Sequence, residues 1–207
     1  MCRATDIKGP WTTNKLEGYL YDPGLMFDDD GTPLVYYGTG GDIKVAELNA
    51  DLSGIKPGGF DQVVVPNASM VAGPNVGLNA EGSQLLKHDG KYYLFNITWP
   101  RGGMRTVIVH RAAKITGPYE GRVALQDKGV AQGSLIDTPQ GEWFAYLFRD
   151  YGAVGRIPYL VPVKWEHGWP VLGVDGKVPD TFSKTARTQR VSLTASMASR
   201  GRPSAPN

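Results

Sequence analysis

The feature that most constrains this chain is an internal repeat. Three segments follow one pattern, covering residues 22–31, 81–90 and 132–141. Each opens on a polar residue (Asp22, Glu81, Gln132) and reaches a turn glycine nine positions later, after which an apolar or aromatic run resumes. The starts lie 59 and 51 residues apart. Units of this length, made of short strands and tight turns, build β-propeller blades, which stand radially around a channel. Local signals agree. The runs 34–37, 92–95, 106–109 and 143–147 are strand-like. Asp30-Gly31 and Asp89-Gly90 sit between apolar runs as hairpin signals, and Asp175-Gly176 adds a third turn pair. No segment keeps a helical period over about 12 residues. The expected fold is all-β: a partial propeller of about three blades plus one strand.

A second element also repeats. Residues 3–11 match residues 111–119, each reading Arg-Ala, then Ile, then Gly-Pro and an aromatic residue. The later copy follows a strand and precedes the next unit start, so residues 3–11 read as the tail of a unit. The expected organisation is a propeller domain over residues 1–182 and a disordered basic tail over 183–207. That tail has five basic residues, no acidic ones and no aromatics, so it lacks the apolar area that would offset its ordering entropy.

Composition removes several function classes. A net charge of +2 gives no global case for nucleic acid or an anionic membrane. No apolar run approaches the roughly 18–20 residues of a membrane helix. The first residues show no basic start followed by an apolar stretch, so no signal peptide is expected; location is left undetermined. A single cysteine, Cys2, excludes an internal disulfide framework and any zinc site with several thiolates. His88, His110 and His167 have no metal-like spacing, and His88 reads as solvent-facing. Asp28-Asp29-Asp30 lacks the offsets of a calcium loop and reads as a polar turn. No phosphate-cradling glycine loop or nucleophile elbow occurs.

Radial architecture places Asp22, Glu81 and Gln132 around one axial mouth. Two carboxylates facing a concave polar site suit glycoside hydrolysis: one, protonated, gives its proton to the leaving oxygen, and the other supports it or acts as base or nucleophile. Asp22 and Glu81 are the candidates. Trp99, Phe27, Trp143 and Tyr151 are candidate sugar platforms, with blade packing as their ordinary alternative. Arg156, flanked by glycine and apolar residues, reads as a partly desolvated guanidinium in need of acceptors, which a sugar hydroxyl or a catalytic carboxylate would supply.

These motifs resemble glycoside hydrolase family 43, five-bladed propeller enzymes that include β-xylosidases and α-L-arabinofuranosidases. The matching stretches are residues 21–31, 80–85, and 132–134 through 155–160. The resemblance implies Glu81 as general acid, Asp22 as the carboxylate that tunes and orients it, and Arg156, with Gln132, Trp99 and Phe27, as sugar contacts. It implies a carbohydrate substrate of xylan or arabinan type and no cofactor, with a structural calcium as the one ion left open. It also implies a third, water-activating Asp in a first blade that this sequence does not match, so the chain reads as an N-terminally truncated member. On that reading the chain alone is unstable or associates, and has little activity. The alternative is a non-catalytic carbohydrate-binding fragment. A protein-interaction propeller is disfavoured, since no Trp-Asp or Gly-His signature recurs, and an invertase-like propeller fits the acid motif less well. Oligomeric state is not legible.

Overall fold

The computed structural model describes residues 1–16 and 20–181. The expectation for residues 183–207 lies outside the described residues. Three four-stranded antiparallel sheets form, each a simple meander in chain order. The first holds β3 (Tyr21–Phe27), β4 (Pro33–Thr39), β5 (Asp42–Glu47) and β6 (Asp61–Val65). The second holds β7 (Val76–His88), β8 (Lys91–Pro100), β9 (Thr106–Ala112) and β10 (Glu120–Leu125). The third holds β11 (Ala131–Asp137), β12 (Trp143–Asp150), β13 (Arg156–Glu166) and β14 (Trp169–Leu172). These are blades I, II and III.

A further two-stranded sheet pairs β1 (Cys2–Arg3) with β2 (Thr12–Thr13). Where the sequence suggests one extra strand, the structure therefore has a hairpin. Its pairing of Arg3 with Thr12 repeats that of Arg111 with Glu120 in blade II. The two matched segments are thus the connections between the third and fourth strands of a unit. Both copies carry a positive-φ glycine (Gly9 at +88°, Gly117 at +83°) before a cis proline, with the following aromatic against the glycine.

Side-chain alternation explains how the sheets stack. In β8 the odd residues Tyr93, Phe95 and Ile97 pack toward blade III, and the even residues Tyr92 and Leu94 toward blade I. In β9, Val107 and Val109 face blade III while Ile108 faces blade I. A central sheet buried on both faces needs continuous apolar strands, which is why these runs read as unbroken. In β4, Leu34 and Tyr36 face blade II, while Val35 and Tyr37 pack under Met1, Leu16 and Leu20. In β12, Ala145 and Leu147 pack inward, but Tyr146 points outward.

The Asp-Gly pairs do what their chemistry favours. Asp89 and Gly90 both have positive φ (46° and 70°) in the two-residue turn between β7 and β8, as a type I′ hairpin requires. Asp175 and Gly176 (52° and 73°) do the same between Val174 and Lys177. Asp30-Gly31 belongs instead to the five-residue link 28–32 between β3 and β4.

Candidate functional site

The first strands of the blades, β3, β7 and β11, are neighbours, with β7 between the other two. Each carries a bulge at the same height. The ladder breaks between Tyr21 and Gly24, between Glu81 and Gln84, and between Ala131 and Gly133. Each bulge holds a residue with left-handed backbone: Asp22 (φ 46°), Gly82 (φ 62°) and Gln132 (φ 54°). Aligning the repeats on their turn glycines equates Asp22, Glu81 and Gln132. The backbone equates Asp22, Gly82 and Gln132, with Glu81 one residue earlier, at the level of Tyr21 and Ala131. A bulge shifts register by one residue, and the five-residue link in blade I hides that shift from a simple count.

Close approaches of backbone bring the three bulges side by side. Tyr21 pairs with Gly38, and a Cβ on Gly38 would lie 3.3 Å from the Ala80 carbonyl oxygen and 3.8 Å from Glu81 Cα. Absence of a side chain at Gly38 thus lets blade I stand directly against Glu81. On the other side, the Gln132 side chain lies over Gly82, whose missing Cβ would sit 2.5 Å from Gln132 Nε2. Asp22 and Glu81 are both partly buried. Neither carboxylate has a hydrogen-bond or ion-pair partner among the described residues.

Polar residues that sequence reasoning missed pin the Glu81 bulge. Asn96, on β8, is the residue opposite the bulge and is 2% exposed. Its Nδ2 donates to Ser83 Oγ (2.8 Å) and to the Glu81 carbonyl oxygen (3.3 Å). Thr98 Oγ1 donates to the Leu78 carbonyl (2.7 Å) and meets Ser69 Oγ at 3.1 Å. The available signal was Asn96 and Thr98 alternating with Phe95 and Ile97 in an otherwise apolar strand.

The other candidates divide by height. Trp99 lies two residues beyond Ile97, the partner of Glu81, about 7 Å further along the strand. It is 42% exposed at the mouth end. Tyr151 follows β12 at this same end and is exposed. Phe27 lies at the far end of β3, next to the hairpin, about 16 Å from Asp22 along the strand; the structure does not bring it to the mouth. Trp143 is also at the far end, edge-on to His88 and Trp165. His88 stacks on Trp165 at 3.9 Å, which corrects the expectation that it faces solvent.

Arg156 departs from the reading of a desolvated cation. Its side chain is 65% exposed and its Nε lies 3.6 Å from Asp150 Oδ1. The guanidinium stacks on Phe148 at 4.4 Å and borders, with Gln132, Tyr146 and Pro158, a hollow of about 400 Å³. Flanking glycines left it in the open rather than enclosing it. Arg156 and Gln132 nevertheless share this hollow.

Asp28 and Asp29 form an inter-blade clasp. Lys87 Nζ reaches Asp28 Oδ1 (2.9 Å) and Asp29 Oδ2 (2.7 Å), and the Tyr92 hydroxyl donates to Asp28 Oδ2 (2.5 Å). Burial pushes the Asp28 carboxyl up, but the bonds from Tyr92 and Lys87 outweigh it and hold it below its ordinary value. Among the described residues no three His, Cys, Asp or Glu side chains converge as a metal cage, and no helix is long and apolar enough to cross a membrane.

Four-stranded meanders whose first strands stand side by side, each bulged at the same height, define a β-propeller. The model of glycosyl hydrolases family 43 matches residues 1–170, and the chain belongs to that family. A solved structure from Bacteroides eggerthii, described as a bifunctional GH43-CE, superposes with a TM-score of 0.81 at 62% identity, covering 85% of this chain and 23% of that one. A Xylanibacter ruminicola protein, provisionally named a β-xylosidase, is 34% identical over 84% of this chain and 33% of its own length. A xylosidase/arabinosidase of Butyrivibrio fibrisolvens is 28% identical over 82% of this chain and 37% of its own length. The chain thus spans about a third of the curated relatives it matches.

Proposed function

We propose that this chain carries the general-acid side of an inverting glycosidase acting on xylose- or arabinose-containing chains. The observation that carries this reading is the pair of partly buried, unpartnered carboxylates of Asp22 and Glu81 on adjacent inner strands, each at the bulge of its ladder. A half-buried carboxylate without a protein partner is costly to keep for structure alone. The names of the relatives support a xyloside or an arabinofuranoside as substrate.

In this mechanism Glu81 donates its proton to the glycosidic oxygen as the bond to the anomeric carbon breaks. Asp22, on the neighbouring strand, orients Glu81 and favours the positive charge developing on the sugar ring. Gln132, over Gly82, offers an amide to sugar hydroxyls, and Trp99 offers an apolar ring face. Arg156, which shares a hollow with Gln132, offers guanidinium N–H donors to sugar hydroxyl oxygens. The water-activating carboxylate is assigned to no described residue. No cofactor enters this reading.

The test uses purified chain with xylotriose, arabinotriose and an aryl β-xyloside. The expected result is oligosaccharide binding by calorimetry, slow hydrolysis, and faster turnover when azide is supplied. Azide would attack the anomeric carbon as the leaving oxygen takes the Glu81 proton, giving the inverted glycosyl azide. Glu81→Gln should remove turnover of xylotriose, roughly 100-fold or more, while affinity stays within about twofold. Failure to bind either sugar, or hydrolysis persisting in Glu81→Gln, would overturn the assignment.

A further inference from the structure

Beside the mouth, a second groove runs along the junction of blades II and III. It is about 460 Å³ and is bordered by Trp99, Arg105, Arg149, Asp150 and Lys128. Its charges do not balance. Asp150 is shared by two guanidiniums, Arg105 Nη1 at 2.5 Å and Arg156 Nε at 3.6 Å. Lys128 is spoken for by Asp180 and the Val178 carbonyl oxygen. Arg149 is partly buried and lies over the Tyr151 ring at 5.4 Å. Arg101 stands on the other flank of Trp99. Neither Arg149 nor Arg101 pairs with a carboxylate among the described residues. Three guanidiniums therefore lie around one exposed indole, Arg101, Arg149 and Arg105, the last 5.5 Å over its ring, and the one carboxylate beside them, Asp150, is already held by Arg105 and Arg156.

A partly desolvated guanidinium without an acid favours a planar, bidentate acceptor, and a ligand carboxylate has that shape. An indole face beside it favours a sugar ring. We propose that this groove is a subsite for a sugar carrying a carboxylate, a uronic acid substituent on the chain held at the mouth. Arg149 receives the carboxylate, with Arg101 and Arg105 supporting it from either side of Trp99. Trp99 lies about 7 Å along the strand from the level of Glu81, so groove and mouth are adjacent on one end of the blades. The subsite rests on the carbohydrate reading of the mouth.

The test compares xylotriose with xylotriose bearing one glucuronic acid branch, by calorimetry on the purified chain at low and high salt. The acidic ligand should bind at least about tenfold more tightly than the neutral one. That advantage should shrink with salt and vanish in Arg149→Gln, with neutral binding unchanged. Arg101→Gln, at an exposed position, should reduce the advantage without endangering the fold. Equal affinity for the two ligands would overturn the subsite and leave the carbohydrate reading standing. Displacement of the acidic ligand by acetate as readily as by free glucuronate would also overturn it, as a general anion patch. Absence of binding by either trisaccharide would overturn both readings together.

Discussion

At the scale of single residues, burial of charge decides which side chains are structural and which are available for chemistry. His110 is buried at 3% exposure, with its Nδ1 unpartnered. Burial alone pushes its imidazole down from 6.5 to about 4. The unfolded chain returns it to its ordinary value, so between about pH 6.5 and pH 4 the unfolded state binds a proton that the folded state refuses. Stability therefore falls as the pH drops through that window and levels off below it, by on the order of 2–3 kcal/mol for this group. Above about pH 6.5 the residue contributes no pH dependence. Denaturant titrations from pH 7 to pH 4 should show this loss, and His110→Phe should flatten it; an unchanged slope in the variant would count against this origin. The exposure of Arg156 and the stacking of His88 are the residue-scale features that the sequence hid. Chain neighbours say little about what arrives from another blade, and the Trp165 ring that covers His88 is 77 positions away.

At the scale of elements, the inner-strand bulges position the mouth, and each depends on a specific close contact. Asn96→Ala would remove both bonds that brace the Glu81 bulge and leave Ser83 Oγ unsatisfied in a buried site. The expected cost is about 1–3 kcal/mol in thermal unfolding, together with weaker turnover by any longer protein that carries this blade. Unchanged stability would show that the bulge holds itself. Gly133 is more demanding: a Cβ there would lie 1.9 Å from the Tyr146 carbonyl oxygen. Gly133→Ala should cost at least about 3 kcal/mol, seen as lost soluble yield or a lower melting temperature. The strands themselves were legible, because alternation and Asp-Gly turns are local. Their bulges were not. A count from turn glycine to opening residue cannot distinguish a longer hairpin link from an earlier bulge, and that is how Glu81 was matched to Asp22 instead of to Tyr21. Phe27 was misplaced for a related reason: one strand reaches both ends of the blade.

At the scale of the whole molecule, the stacked blades leave apolar side chains uncovered on both flanks. Blade I exposes Tyr21, Leu25 and Phe27, and blade III exposes Ile136, Tyr146 and Leu160. Apolar areas of this kind on a folded chain favour association. Light scattering on purified chain should give a mass above the 22.4 kDa of one copy, and Leu25→Lys with Tyr146→Lys should lower it. A strictly monomeric parent would remove the argument. The radial plan was legible in the repeat spacing, since one strand-and-turn pattern recurring after 59 and 51 residues marks stacked units of blade size. The uneven charge beside Trp99 was not, because its three guanidiniums come from two blades and from both sides of one turn. The left-handed position on each inner strand holds Asp in one blade, Gly in the next and Gln in the third. It works as a socket whose backbone stays the same whatever side chain is plugged into it. New chemistry can therefore be installed at the rim one letter at a time, with no need to rethread the polypeptide.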